Sequence, residues 1–334
     1  MIIQTADLRE NDRLKLELVS PIDVPMGMLI DPGNLCNIKC SFCPTGIPSL
    51  VKGVGRPMGL MQDDTFNLLI QGLLEFNTKI KIINFYKDGE PLIHPKYIEM
   101  SKKLKSSLVC DKLYTKTNGV AFKKDGMIDY FLKVGFDLIS ISVIAPHSEG
   151  YRKIAGVGLD YSNYLSNIKT LYLNRSAPLH IKMCDVGFEK WEIDKFLDDF
   201  TPISDFIAIE GMHGWSRTEL HDFTLGQKSI TFDGIKSTPE RIVCTWPLYQ
   251  MTVNWNGAIA PCHEDWSWVN IMGNIHEESL KSIWLGDKFN DFRRMHLEGM
   301  RSTNKACSSC WQIRNCPDDV DEHRFDMLKK YSPK

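Results

Sequence analysis

The sequence lacks the features that place a protein in a membrane, on nucleic acid or outside the cell. Its net charge is only −2 over 334 residues, and positive and negative residues are interspersed rather than grouped. No apolar run is long enough to span a bilayer, and residues 1–11 contain no apolar core of a signal peptide. These absences predict a cytoplasmic protein with no nucleic acid and no membrane among its partners.

Disulfide bonds are equally unexpected, because cytoplasmic thiols are kept reduced. The chain nevertheless has ten cysteines, and eight of them fall into two groups, one near residue 40 and one beyond residue 240. Thiols in that number and arrangement indicate metal binding or redox chemistry rather than a set of structural disulfide bonds.

Between the two cysteine groups, short apolar segments alternate with amphipathic ones. Strands are predicted at 25–31, 80–86, 112–117, 137–144, 179–183 and 206–210, and helices at 63–76, 95–107, 125–134, 161–174 and 189–200. This alternation predicts an α/β fold with a parallel sheet, closed as a partial (β/α)6 TIM-like barrel whose active site lies at the C-terminal strand ends.

The alternation also divides the chain. Residues 1–24 are predicted to be an N-terminal extension, 25–215 the barrel, and 216–239 a linker. Residues 240–334 are predicted to form a small α+β domain with a hairpin at 251–262 and one amphipathic helix from 279 to about 297.

The first cysteine group directly follows the first strand. Cys36, Cys40 and Cys43 can hold three irons of a [4Fe-4S] cluster and leave the fourth iron open to a small molecule. A structural zinc site is the alternative, but it needs a fourth ligand, and no Cys or His lies between residues 44 and 86. Three unrelated buried thiols are a further alternative.

With Phe42 the loop reads C-x3-C-x-aromatic-C, which resembles the motif of the radical S-adenosylmethionine (SAM) enzymes. In that family the open iron binds the amino and carboxylate groups of SAM. One electron then cleaves SAM to a 5′-deoxyadenosyl radical, which abstracts a hydrogen atom from the substrate. The resemblance implies SAM as a cofactor and an electron donor such as flavodoxin or ferredoxin as a partner.

Further segments at successive strand ends are similar to those of the family. Residues 87–91 resemble its Gly-Gly-Glu-Pro segment, with Asp88 in place of the first glycine, and residues 117–119 match its Thr-Asn-Gly. The alternatives are ordinary turn glycines and a packing face of small residues. The resemblance implies a SAM site formed by Phe42, Gly89, Glu90, Pro91, Asn118, Ser140, Ser142 and Arg152.

The second cysteine group resembles the SPASM or twitch domain that some radical SAM enzymes carry. The resemblance implies one auxiliary [4Fe-4S] cluster held by Cys244, Cys262, Cys307 and Cys310, with Cys316 left over. A full SPASM domain has further cysteines, and Val320 stands where the next would be. A zinc site formed by the same thiols is the alternative.

Four residues are predicted to take part in the reaction itself. Cys316 and Cys184 are candidate hydrogen donors to a substrate radical, although Cys316 could instead be an alternative ligand or an inert thiol. On the fifth strand, His180, Lys182 and Cys184 alternate with apolar residues and should face the barrel lumen. Glu210, with Lys182 or His180, is a candidate general base.

The expected function is hydrogen abstraction from a C–H bond of a polar small molecule, of sugar or aminocyclitol type, leading to dehydrogenation or epimerisation. This expectation follows the twitch-bearing relatives. Modification of a peptide or protein side chain is the enzymatic alternative, but about 25 residues before the first strand are too few for a peptide-recognition domain. A zinc-stabilised binding protein is the alternative without turnover.

Overall fold

The computed structural model describes residues 14–212, 214–227, 231–232, 235–236 and 241–331, the two short pieces by backbone only. The start of the predicted extension and part of the predicted linker lie outside the described residues. The strands are β1 (Gly27–Ile30), β2 (Ile80–Asn84), β3 (Cys110–Thr117), β4 (Leu138–Val143), β5 (Leu179–Asp185), β6 (Phe206–Gly211), β7 (Thr231–Phe232), β8 (Ile235–Lys236), β9 (Gln250–Val253), β10 (Ala258–Ala260) and β11 (Gly273–Asn274).

The helices in the described part of the chain are α1 (Leu16–Val19), α2 (Pro48–Gly53), α3 (Asp63–Leu74), α4 (Tyr97–Ser106), α5 (Met127–Leu132), α6 (Ser148–Ala155), α7 (Tyr161–Asn174), α8 (Lys190–Phe200), α9 (Trp246–Tyr249), α10 (Leu280–Leu285), α11 (Asp287–Leu297) and α12 (Arg324–Lys330). Within these residues, none of the helices is both long and apolar enough to cross a bilayer.

One sheet organises both halves of the protein. Its strand order is β11-β10-β9-β1-β2-β3-β4-β5-β6, with β1 to β6 parallel in chain order. The predicted six-stranded partial barrel is therefore confirmed. The hairpin β9–β10 extends this sheet, because β9 pairs in parallel with β1 from Gly27↔Gln250 to Ile30↔Val253. The C-terminal region thus forms a wall of the barrel, while the domain boundary at residue 240 stays a prediction.

The two-residue periodicity of β5 decides which side chains enter the lumen. Leu179, Ile181 and Met183 are fully buried in the main hydrophobic core, whereas Lys182 and Cys184 line a cavity on the other face. Successive side chains of a strand point to opposite faces, so the apolar set packs outward while the polar set faces the substrate side. For Lys182 and Cys184 this agrees with the orientation predicted from the sequence, whereas His180 does not line the cavity.

An unpredicted helix, α6, supports the first cysteine loop. It begins where the His147 side chain accepts a hydrogen bond from the amide of Gly150 at 3.0 Å, and it ends at Gly156, whose φ of 64° is left-handed. Its last carbonyl groups, of Ile154 and Ala155, accept hydrogen bonds from the amides of Ser41 and Lys39 at 2.9 and 2.8 Å. The helix end thereby holds the loop between Cys36 and Cys43.

The prediction of one helix from 279 to about 297 is wrong. The segment forms two helices, α10 and α11, which are separated at Gly286, where ψ is 162° and the backbone is extended. The Ser279 side chain caps α10 at the amide of Ser282. The break lets Trp284 pack edge-on against Phe289, with ring centroids 4.9 Å apart. A Cβ atom on Gly286 would lie 2.8 Å from the carbonyl oxygen of Ser282, so a glycine suits this close approach, and helical periodicity alone does not reveal the break.

Candidate active site and auxiliary cysteine cluster

The first site element is the loop that follows β1 and carries Cys36, Cys40 and Cys43. The amide of Cys43 donates to the carbonyl of Cys40 at 3.1 Å, so the loop is tightly turned. Burial raises the pKa of Cys36 to about 12. Burial, followed by the charges of Cys43 and Cys36, raises the pKa of Cys40 well above its usual range. Cys36, Cys40 and Cys43 thus lie on one tightly turned loop, Cys40 buried and the other two half-buried, and three thiols on such a loop suit the ligation of one iron–sulfur cluster.

The turn after β2 packs directly against this loop at Gly89. A Cβ atom on Gly89 would lie 2.2 Å from the carbonyl oxygen of Gly33 and 2.3 Å from that of Leu35. The next amide, of Glu90, donates to the same Leu35 carbonyl at 2.8 Å. Only glycine fits at this point, because the obstacles are backbone atoms that cannot rotate away.

We expect Gly89→Ala to lower the free energy of unfolding by about 1–3 kcal/mol, because the added methyl group forces the cysteine loop outward. The iron retained after anaerobic reconstitution should fall as well. Gly53→Ala is the matched control, since a Cβ there would meet nothing within 4 Å. Chemical denaturation and iron analysis of both variants check this, and equal iron content in the two would contradict it.

Glu90 connects the motif segments to one another. Its Oε1 accepts hydrogen bonds from the Leu92 amide at 3.0 Å and the Thr117 hydroxyl at 2.5 Å, and its Oε2 accepts from the Asn118 amide at 2.8 Å. The Asn118 side chain in turn donates to Asn37 in the cysteine loop at 2.7 Å. Both carboxylate oxygens of Glu90 are thus bonded to protein donors that connect it to the cysteine loop, and the SAM contacts of Gly89, Glu90 and Asn118 stay predictions.

A cavity of about 390 Å³ opens at the C-terminal strand ends. Among the predicted site residues it is lined by Phe42, Ser142, Lys182, Cys184 and Glu210. The cavity therefore extends from the cysteine loop across β4, β5 and β6. This is the position at which parallel barrels place their reactive groups.

One wall of this cavity holds a polar trio on β5 and β6. Lys182 Nζ lies 2.5 and 2.6 Å from the two carboxylate oxygens of Glu210, and the Cys184 thiol donates to Glu210 Oε2 at 3.7 Å. The Lys182 side chain is 12% exposed and that of Glu210 is 2% exposed. Burial, followed by the charge of Glu210, raises the pKa of Cys184 to about 12, so its thiol stays protonated at neutral pH.

Other predicted site residues lie outside this cavity. Ser140 is buried beneath it, within 3.4 Å of His180 Nδ1, and Pro91 is buried in the turn after Glu90. Arg152 is exposed and pairs with Glu149. Cys316 is buried elsewhere, with its sulfur 3.7 Å from that of Cys244. The SAM and catalytic roles of these residues stay predictions.

The sequence interpretation missed an ion-pair network that reaches the cavity through Lys87 and Asp88. Asp88 accepts from Arg56 at 3.4 Å and also pairs with Lys87. Arg56 donates further to the Thr45 hydroxyl at 2.8 Å and to the carbonyl of Trp266 at 3.2 Å. The network ties the cysteine loop, the turn after β2 and the C-terminal region together. Asp88 stands where the family motif has its first glycine, and this departure was the signal that could have indicated the network.

The C-terminal region also supplies cavity residues that the sequence interpretation missed, namely Trp246, Gln250, His263 and Glu264. Gln250 and His263 Nδ1 are 2.8 Å apart. Burial, followed by the charge of Asp88, raises the pKa of Glu264 to about 8. Its buried Oε2 has no hydrogen-bond partner among the described residues. A buried polar atom facing a cavity is a candidate contact for a bound molecule.

The second cysteine group surrounds a separate, smaller cavity of about 30 Å³. Its lining includes Cys244, Cys262, Cys307 and Cys310, brought together from four positions, but not Cys316. In the described part of the chain, no three His, Cys, Asp or Glu side chains converge on a single-ion position. A [4Fe-4S] cluster does not require its ligands to converge on one point, because each thiolate binds a different iron atom. The four thiols facing one buried cavity fit such a cluster.

Comparison with known protein families agrees with both sites. The radical SAM superfamily model matches residues 30–195, and that of SPASM, an iron-sulfur cluster-binding domain, matches residues 244–311. The chain belongs to the radical SAM superfamily. Its cofactors are S-adenosyl-L-methionine and iron–sulfur clusters, one that binds SAM and one that is auxiliary.

A curated relative is the S-adenosyl-L-methionine-dependent 2-deoxy-scyllo-inosamine dehydrogenase of Niallia circulans. The two sequences are 33% identical over 90 residues, which make up 27% of this chain and 36% of that protein. The matched segment thus spans little more than a third of the relative, and it supports kinship rather than a shared substrate.

Solved structures share the fold of this radical SAM protein at low sequence identity. BtrN in complex with AdoMet and 2-DOIA matches with a TM-score of 0.53 and 18% identity, over 86% of this chain and 93% of that one. Streptococcus suis SuiB bound to precursor peptide SuiA matches with a TM-score of 0.60 and 13% identity, over 89% of this chain and 74% of that one. Native anSMEcpe with bound AdoMet matches with a TM-score of 0.57 and 16% identity, over 91% of this chain and 96% of that one. These likenesses confirm the predicted fold class.

Proposed function

We propose that this radical SAM enzyme dehydrogenates a hydroxyl-bearing carbon of a polar small molecule of sugar or aminocyclitol type. The observation that carries the proposal is the Lys182–Glu210 pair, which faces the same cavity as Phe42 of the cysteine loop. The curated dehydrogenase relative supports the reaction type. When bound, SAM and the clusters supply the radical that removes a hydrogen atom and the acceptor for the remaining electron.

The cavity suits a compact polar substrate. A volume of about 390 Å³ lies within the range of small-molecule sites, and its lining combines Tyr86 and Trp246 with the charged residues Lys116 and Lys182 and the carboxyl group of Glu264. Aromatic and aliphatic walls exclude water, while the few charged groups bind hydroxyl or amino groups. Such enclosure protects a substrate radical from side reactions.

The residues of β5 and β6 provide the proton chemistry. Removal of the C–H hydrogen leaves a carbon radical that carries a hydroxyl group, and conversion to a ketone requires loss of the hydroxyl proton and one electron. Glu210 accepts that proton, and Lys182, bonded to both of its oxygens, holds the carboxylate in place. Glu264 Oε2, which also lies at this cavity, binds a second polar group of the substrate.

The placement of thiols supports dehydrogenation over epimerisation. An epimerase needs a hydrogen donor on the face of the substrate opposite the abstracting radical. Cys316 does not line the cavity, and its sulfur lies 3.7 Å from that of Cys244. Cys184 does line the cavity, but its thiol donates to the Oε2 atom of Glu210, the proposed base. Cys316 therefore lies away from the proposed substrate site, and the Cys184 thiol is already bonded to the base.

Product analysis in deuterium oxide tests the proposal. Anaerobically reconstituted enzyme should contain about eight irons per chain, as two [4Fe-4S] clusters require. With a flavodoxin or ferredoxin as the proposed electron donor, aminocyclitols such as 2-deoxy-scyllo-inosamine should yield one ketone per 5′-deoxyadenosine, without solvent deuterium at the reacting carbon. An inverted product that carries deuterium would establish epimerisation. Turnover restricted to peptides would establish side-chain modification, and zinc in place of iron would exclude the radical reaction.

A further inference from the structure

The cavity between the auxiliary cysteines contains one histidine. His296 lies in the last turn of α11 and is 1% exposed. It lines this cavity together with the four cysteines. Its Nε2 atom is 3.8 Å from the sulfur of Cys307, whereas its Nδ1 atom has no hydrogen-bond partner among the described residues. The ring nitrogen that has a partner therefore faces a cluster thiol.

We propose that His296 donates a hydrogen bond from Nε2 to the sulfur of Cys307 and thereby raises the reduction potential of the auxiliary cluster. A reduced cluster carries one more negative charge on its irons and sulfurs than the oxidised cluster. A donor to a ligating sulfur stabilises that charge, and hydrogen bonds to sulfur are among the factors that set cluster potentials. The effect is strengthened in a buried site, where water does not screen it.

Two groups next to His296, Arg301 and Phe292, make contacts of other kinds. Arg301 donates to the backbone carbonyl of Cys307 at 2.6 Å, so this contact fixes the loop. Phe292 packs edge-on against the His296 ring with centroids 4.9 Å apart, which holds the imidazole in its orientation. His296 is thus a positioned donor to the cluster sulfur, and Phe292 and α11 support it.

This inference rests on the auxiliary cluster of the proposed function, but it concerns a potential rather than turnover. A full-length chain in which Cys36, Cys40 and Cys43 are replaced by alanine holds the auxiliary cluster alone. An anaerobic redox titration followed by electron paramagnetic resonance then gives its potential without SAM or substrate. Failure of the dehydrogenation would leave this measurement unaffected, so the two failures are distinguishable.

In that background, His296→Phe should lower the equilibrium constant for reduction about tenfold, which corresponds to about 59 mV for a one-electron couple. His296→Gln, which retains a donor, should restore most of the difference. The exposed His323 provides the control, and His323→Phe should leave the potential unchanged. An unchanged potential in His296→Phe would overturn the proposal.

A second measurement decides the case in which His296→Phe does not retain iron. Electron–nuclear double resonance on the reduced parent should show a proton coupling that disappears in deuterium oxide, and His296→Gln should keep a coupling of this kind. Absence of any exchangeable proton coupling in the parent would overturn the proposal. So would a strong nitrogen coupling, because it would make His296 an iron ligand.

Discussion

Glu210→Gln is expected to lower the rate of product formation by about 10²–10⁴-fold, the range contributed by a general base. The amide keeps the shape of the side chain and can still accept one hydrogen bond from Lys182, but it cannot take up the hydroxyl proton. Hydrogen abstraction itself does not depend on Glu210. Substrate deuterated at the reacting carbon should therefore still transfer deuterium to 5′-deoxyadenosine in the variant, while ketone formation falls.

The control for this prediction is Glu322→Gln, an identical exchange at an exposed position. Its rate of ketone formation should equal that of the parent. A Glu210→Gln enzyme that forms ketone within a fewfold of the parent rate would exclude Glu210 as the base. If deuterium transfer to 5′-deoxyadenosine is also lost, Glu210 acts in substrate binding instead.

The short-range features of this site could be predicted from the sequence. Cys36, Cys40 and Cys43 lie within eight residues, and their spacing alone predicts the ligation of one cluster. The alternation on β5 predicts that Lys182 and Cys184 face the lumen, because side-chain direction in a strand has a strict two-residue period. Such patterns survive folding because each depends only on neighbours along the chain.

Long-range features could not be predicted in this way. Glu264 reaches the cavity because β9 pairs with β1 across more than 200 residues of sequence, and nothing in either strand specifies that partner. Only five residues separate Cys316 from Cys310, yet Cys316 lies outside the auxiliary cavity. The direction in which a loop side chain points depends on the packing around it, and this information is absent from cysteine spacing.

Asp88 is the position at which this chain departs from the family motif, and its replacement carries the second large prediction. Asp88→Gly, which restores the family residue, should lower the free energy of unfolding by about 3–5 kcal/mol. The side chain of Arg56 is 0% exposed and that of Asp88 is 3% exposed, so the variant leaves a buried guanidinium without this carboxylate. Lys87 loses the same partner.

A double-mutant cycle separates the lost ion pair from lost packing. Arg56→Met removes the buried cation, so Asp88→Gly should be less destabilising in that background by about 1–3 kcal/mol, measured by urea unfolding of the reduced, metal-free chain. Additive effects would exclude a coupled pair. Coupling is expected because the buried side chains of Arg56 and Asp88 pair directly, and Arg56 also bonds to Thr45 and to the Trp266 carbonyl. The aspartate thus holds a cation that joins the cysteine loop to the C-terminal region, and a glycine at this position cannot do so.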